Sequence, residues 1–277
     1  MPDMAIPGES VSTNETRRKQ GTTLPWLTTP ILALALIGTW QFYVSQSHIS
    51  AFILPSPASV GRAWLDLLDS PRAWGHAQTT IYETLVGFAW GLFIGVGLGV
   101  LIGRIRWLEM TLNPFIVAIQ VVPKVAFVPL FVVWFGFGIT SKVIVSAVLA
   151  FFPILTNTVL GVKSVESSHR DVMTSLKSSR FAVFYRLELP SSLPYILTGM
   201  EIGIVLAIIG AIVGEYLGGN SGLGYLLISK MNAFETDGLF AVMIHMTILG
   251  FVFYFAVGIL RRLLIPWHQS SGLDPAP

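Results

Sequence analysis

Cysteine is absent from the chain, which removes disulfide frameworks, thiolate nucleophiles and cysteine-ligated metals from consideration. Charge is nearly as scarce. Asp, Glu, Lys and Arg make up only 12% of the 277 residues, and a formal net charge of +2 gives no reason to propose nucleic acid as a partner. None of the His residues stands at metal-ligand spacing, and no catalytic constellation appears. The glycines between Gly87 and Gly99 are not followed by a Lys-Ser or Lys-Thr pair, so they do not form a phosphate loop. Apolar residues are what the chain has in excess. At 53% of the total they exceed what one water-soluble core normally uses, so a membrane is the first hypothesis.

An α-helix rises about 1.5 Å per residue, so crossing roughly 30 Å of hydrocarbon takes about 20 mostly apolar residues. Six segments meet that test: Trp26 to Val44, Thr84 to Gly103, Met110 to Phe137, Val143 to Val162, Leu193 to Leu217 and Leu239 to Leu260. The sequence therefore predicts an all-α, polytopic membrane protein with six transmembrane helices. Arg17, Arg18 and Lys19 precede the first span in the manner of a signal peptide, but that span is too long for a signal core and no small-x-small site follows it. A retained signal-anchor helix is expected. Met1 to Thr23 reads as a disordered tail and residues 268–277 as a second tail, around a transmembrane domain of residues 24–267. The polar stretch Ser45 to Thr80, with Pro55, Pro57 and Pro71, should lie outside the bilayer.

Orientation follows from cationic residues, which are retained on the cytoplasmic side. With the amino terminus inside, the inner segments hold twelve Lys and Arg (residues 17, 18, 19, 104, 106, 163, 170, 177, 180, 186, 261 and 262). The outer segments hold four, Arg62, Arg72, Lys142 and Lys230. Both termini are predicted cytoplasmic, in a bacterial plasma membrane.

Ionised groups inside a bilayer cost about 3 kcal/mol by insertion scales, so they face the bundle interior or a water-filled path. Lys124 lies between Pro123 and Pro129, each of which opens the helical ladder; it either lines or gates a translocation route or snorkels at an interface. Glu215 precedes Gly218, Gly219, Gly222 and Gly224, a density that permits a bend; an interfacial carboxylate is the plainer reading. Glu201 is expected to pair with a loop arginine, and His245 to be a hydrogen-bonded packing residue. Gly87, Gly91, Gly95, Gly97 and Gly99 are expected to let helices approach closely.

The longest inner loop runs from Lys163 to Ser192 and fits two short amphipathic helices. In the first, Val172, Met173 and Leu176 share a face, with Ser168 and Asp171 placed like a capping box; in the second, Phe181, Val183, Phe184 and Leu187 form an apolar stripe. Such a loop is either a solvated connector resting on the membrane or a docking element whose stripe, ringed by Arg170, Lys177, Arg180 and Arg186, seats in a partner. A stretch from Tyr225 to Phe234 on the outer side is partly amphipathic. It either meets a partner or lies at the interface.

The run from Asp171 through Leu176, Lys177, Arg180, Phe181, Phe184 and Arg186 to Leu189-Pro190 resembles the EAA signature of ABC importer permeases. It departs from that signature where Asp171 replaces glutamate, Val172 and Met173 replace two alanines, and Lys177 replaces a glycine; a residue needing φ > 0 would be strained at that last position. Leu54 to Pro57, Pro123 to Leu130, Trp134 to Gly138 with Ser141-Lys142, and Glu215 with Gly222 and Gly224 extend the resemblance. Together they resemble the nitrate, sulfonate, taurine and bicarbonate permease group over roughly Ile49 to Trp267.

The resemblance implies a type I importer fold and a non-enzymatic subunit with no cofactor of its own. ATP and Mg would be used by separate cytoplasmic ATPase subunits docked at Asp171, Leu176, Lys177, Arg180, Phe181, Phe184, Arg186, Leu189 and Pro190. It further implies a second permease copy, an extracytoplasmic substrate-binding protein, and a route involving Pro123, Lys124, Pro129, Glu215, Gly222 and Gly224. The expected cargo is a small anion such as a sulfonate, nitrate or taurine, with a nitrogen heterocycle such as a thiamine precursor as the alternative. An ion-coupled secondary transporter would need internal repeats and paired broken helices, and only the third span looks broken. A membrane scaffold or sensor without transport is the remaining rival.

Overall fold

The computed structural model describes residues 24–47 and 49–266, so both expected tails lie outside the described residues. Among the described residues the chain is helical, with no strand. It divides into two units, one up to His48 and one from Ile49 onward. The first holds α1 (Leu24–Gln46), which contains Pro30 and exposes Ile31, Leu34, Ile37 and Phe42. It coincides with the first expected span.

The second unit opens with α2 (Pro57–Leu68) and α3 (Pro71–Arg104). Both start at a Ser-Pro pair. Ser56 and Ser70 accept hydrogen bonds from the backbone N–H groups of Ser59 and Ala73, and the following proline occupies the first turn, where its missing donor is not needed. This cap starts α3 thirteen residues ahead of the apolar run that begins at Thr84, so part of the outer polar stretch is helix. Next come α4 (Arg106–Val121), a 3₁₀ turn (Lys124–Phe127) and α5 (Val128–Phe135). The third expected span is thus broken. The segments 106–121 and 124–135 meet at 81°, at the Val122-Pro123 step, where proline removes a donor and forces its predecessor into an extended conformation.

The remaining elements are α6 (Ile139–Lys163), α7 (Ser167–Ser175), α8 (Arg180–Val183), a π-helical turn (Phe184–Glu188), α9 (Leu189–Gly218), α10 (Leu223–Asn232) and α11 (Thr236–Leu264). Helices α3, α6, the run 180–218 and α11 are long and apolar enough to cross a membrane, and the bent pair makes up to a fifth. Six spans are expected from the sequence, and this count covers the described residues only.

At the centre α3 and α6 run parallel and α9 antiparallel to them. Gly87, Gly91, Gly95, Gly99 and Gly103 of α3 step along α6 from Val143 to Val162, so close that a Cβ on Gly91 would lie 2.8 Å from the Ala147 carbonyl oxygen. Gly161, on α6, and Gly199, Gly203, Gly210 and Gly214, on α9, make the α6–α9 approach in the same way. Small residues replace hydrophobic driving force here, because lipid tails are as apolar as leucine and close contact is what remains to be gained. Gly97 is the exception within the expected ladder. It faces open space and takes no part in the contact.

Three expectations need correction. The second loop helix is not separate: residues 180–218 form one helical run, because the π turn at 184–188 carries the backbone into α9 without a break. The capping box at Ser168 and Asp171 does not form, since α7 starts after Glu166 and no side chain caps it. Lys142 is not an outer loop charge, being 1% exposed in the first turn of α6.

Candidate functional site

At the end of the second unit where α3 and α6 finish and α9 starts, the 163–192 segment forms a compact platform. Helix α7 closes on a hydrogen-bonded reversal: Ser178 N–H donates to the Met173 carbonyl at 3.0 Å and Lys177 N–H to the Thr174 carbonyl at 2.9 Å. This pattern places Lys177 where helices commonly put glycine, and its φ is +53°. The strain expected from the missing glycine is therefore present in the backbone. Left-handed geometry costs an L-residue about 1–2 kcal/mol, partly offset by glycine's greater unfolded entropy. Lys177→Gly should accordingly slow amide exchange across residues 173–180 by about two- to fivefold, and Lys177→Val should speed it.

What holds the platform is Glu188, a residue the sequence analysis did not single out. It is 5% exposed and ion-pairs with Arg104 at the end of α3 (2.8 Å) and Arg170 of α7 (3.6 Å). Arg170 also donates to the Val162 carbonyl at 3.0 Å, and the Arg104 guanidinium lies 4.9 Å from the centre of the Phe184 ring. Three segments are thereby tied to one carboxylate. Its sequence signal was the acid directly before Leu189-Pro190, easily taken for a solvated charge among so many cations.

Against that support, the platform's outer side carries unpartnered apolar groups. Val172, Leu176, Phe181 and Tyr185 are exposed, Phe181 at 74%, and the Phe181 and Tyr185 rings stack with centroids 6.1 Å apart. Asp171, Lys177, Arg180 and Arg186 are exposed around them, whereas Phe184, Leu189 and Pro190 are half-buried. An exposed aromatic cluster on a braced support can bury itself in a partner's groove at little ordering cost.

The residues expected on a translocation route fall into two clusters. Pro123, Lys124 and Pro129 lie at the broken helix. There the half-buried Lys124 ammonium donates to the Gln120 carbonyl at 3.2 Å and sits 4.9 Å from the centre of the Phe152 ring. It borders a cavity of about 240 Å³ whose other walls include Val122, Phe127, Phe131, Val148 and Phe152. Glu215, Gly222 and Gly224 meet at the opposite end. Glu215 is fully buried, accepting from Thr80 Oγ1 at 2.6 Å and from Gly224 N–H at 2.7 Å, so it is not an interfacial carboxylate. Two further buried ionisable side chains lie there, Glu83, which was passed over, and Lys142, expected in an outer segment; each stands one residue outside the apolar runs that begin at Thr84 and Val143.

Glu201 pairs at 2.9 Å with Arg261, which belongs to the last turn of α11 rather than to a loop. His245 packs against the Trp74 ring edge-on, 5.9 Å between centroids, as expected of a packing residue, while its buried Nδ1 makes no hydrogen bond. The outer stretch expected at Tyr225 to Phe234 becomes α10, which buries Leu223 and Leu226 against Ala73, Ala77 and Val242.

Residues 91–268 match the family described as binding-protein-dependent transport system inner membrane component. The chain is 38% identical to the riboflavin transport system permease protein RibX of Chloroflexus aurantiacus, over 89% of this chain and 92% of that one. It is 37% identical to the formylaminopyrimidine transport permease protein ThiX of Halalkalibacterium halodurans (86% and 94% covered). To the putative aliphatic sulfonates transport permease protein SsuC of Bacillus subtilis it is 31% identical (95% and 94%). Its fold is similar to a chain of the methionine ABC transporter MetNI in an inward-facing conformation, with a TM-score of 0.61 at 18% identity, covering 70% of this chain and 98% of that one.

Proposed function

The chain belongs to the binding-protein-dependent transport system inner membrane component family, and from that premise we propose that it is the membrane-spanning subunit of an ATP-driven importer whose ATPase docks on the 163–192 platform. Membership makes it a transport subunit rather than an enzyme, and implies an ATPase and a substrate-binding partner. The reading of the platform rests most on one observation: Phe181 and Tyr185 are exposed on a surface that Glu188 braces against α3 and α7. Two copies of the chain, with both termini cytoplasmic, would place two such platforms over an ATPase pair. ATP binding would draw the platforms together and rock the bundles outward, with cargo favouring one state by its differential contacts.

For the cargo, the cavity beside Lys124 supports a planar nitrogen heterocycle. Its walls are apolar, with the rings of Phe127, Phe131 and Phe152 and the stem of Lys124, whose ammonium is held by the Gln120 carbonyl beside it, so a flat ring gains stacking there. A sulfonate or nitrate would lose a hydration shell that one ammonium cannot replace. The relatives with names referring to riboflavin and formylaminopyrimidine, at 38% and 37% identity, agree with this. A small anion such as a sulfonate, nitrate or taurine is the second reading, favoured by the positive charge of Lys124.

Uptake into vesicles carrying the reconstituted complex tests both. ATP should drive accumulation of a labelled heterocycle, and Lys124→Met should lower it about tenfold or more, on the scale of one lost charged contact, with complex recovery unchanged. Unaltered uptake by Lys124→Met removes Lys124 from the route, and accumulation of an alkanesulfonate alone selects the second reading.

A further inference from the structure

Two turns lie at the end of the bundle opposite the platform: residues 136–138 between α5 and α6, and residues 219–222 between α9 and α10. Each is held by a buried charge. Lys142 Nζ donates to the carbonyls of Phe137 (3.0 Å) and Gly138 (3.2 Å). The Glu215 carboxylate receives Thr80 Oγ1 and Gly224 N–H, and Thr80 Oγ1 in turn accepts from Leu223 N–H at 2.9 Å. Gly222, at φ +99°, brings its backbone so near the Glu215 carboxylate that a Cβ would collide with it. Its N–H donates to His76 Nδ1 at 3.1 Å.

The two holds are not independent. The Lys142 stem lies against Gly214, where a Cβ would stand 3.0 Å from Lys142 Cγ, one residue before Glu215. Glu83, fully buried, interacts electrostatically with both Glu215 and Lys142, its oxygens lying near the Glu215 carboxylate without good hydrogen-bond geometry. Val132 of α5 and the Phe137 ring close on Gly218, at the end of α9. Sealed from water, two side-by-side carboxyl groups repel one another if both ionise, so the Lys142 ammonium, the opposite charge that both feel, helps to hold the pair in place.

The geometry points to Glu215 and Lys142 as positioning residues of a single latch that makes the 136–138 and 219–222 turns move as one unit. The consequence is mechanical. Helix α10 lines a cavity of about 960 Å³ at this end, together with Arg72, His76 and Asp237. Helix α5 continues into the break that carries Lys124. Through the latch, a displacement of α10 reaches α5, and the reverse. Coupling of this kind is reciprocal, which sets it apart from two separate local supports.

Hydrogen–deuterium exchange on the full chain in lipid nanodiscs tests it. Lys142→Met should speed exchange at least fivefold at 219–226 as well as at 136–140, and Glu215→Gln should speed both segments likewise. The double variant should exceed the faster single by no more than twofold, and Lys142→Arg should keep both slow. If Lys142→Met does not yield folded protein, Thr80→Val, which touches only the Glu215 side, must still speed 136–140. Acceleration confined to each variant's own turn, multiplicative effects in the double, or equal acceleration throughout α11 would each overturn the latch.

Discussion

Gly91→Leu should abolish recovery of folded protein from the membrane, whereas Gly97→Leu, six residues along the same helix, should leave recovery unchanged. The contrast rests on what each position meets. A Cβ at Gly91 would lie 2.8 Å from the Ala147 carbonyl oxygen and 3.2 Å from the Phe151 nitrogen, both backbone atoms that cannot rotate away. A Cβ at Gly97 has nothing within 4 Å. Overpacking a core ordinarily costs about 1–3 kcal/mol. At Gly91 the whole α3–α6 contact must open, and with it the neighbouring contacts at Gly87 and Gly95, so the loss should lie at or above the top of that range. Size-exclusion profiles of the two variants, solubilised side by side, read the difference directly. Equal yields would mean that the stripe of glycines does not set the α3–α6 distance.

The second large effect belongs to the platform. Phe181→Asp should weaken association with the ATPase about thirtyfold or more, the scale at which truncating an aromatic anchor removes roughly 2 kcal/mol or more of interface energy. Arg180→Glu should weaken it less in low salt and hardly at all in high salt, as for a charge at an interface rim. Neither substitution should alter the bundle's own thermal stability, because Phe181 is 74% exposed and Arg180 is exposed as well. Purification of the tagged variants with the ATPase, at two salt concentrations, separates the two contributions. Retained association in Phe181→Asp would show that the exposed rings cover something else.

Much of the fold was legible because membrane helices announce themselves by length and apolarity. The spans at Thr84, Val143, Leu193 and Leu239 all sit within observed helices, and the prolines at 123 and 129 marked the break. Boundaries were less legible. The start of α3 is set by Ser70 and Pro71, ahead of any apolar run, and a π turn removed the stop expected before α9. The absent glycine at Lys177 was legible only through the resemblance to the EAA signature, which places a glycine there, and the structure shows φ +53° at that position.

Glu83, Lys142 and Glu188 escaped for a common reason. Each abuts an apolar run or sits among cations, where a solvated charge is the ordinary reading. Only three-dimensional placement shows that each has lost its water, and that Glu188 has found Arg104 far along the chain. Glu215 was noticed for its glycines, but the reason for Gly222, a carboxylate filling the space where a Cβ would be, is a property of the folded loop.

Tagged full-length chain, drawn from native membranes in mild detergent, should bring with it a stoichiometric nucleotide-hydrolysing subunit that Phe181→Asp loses. Chain that emerges without any such companion, and accumulates solute in vesicles under a proton or sodium gradient alone, would contradict the account at its root.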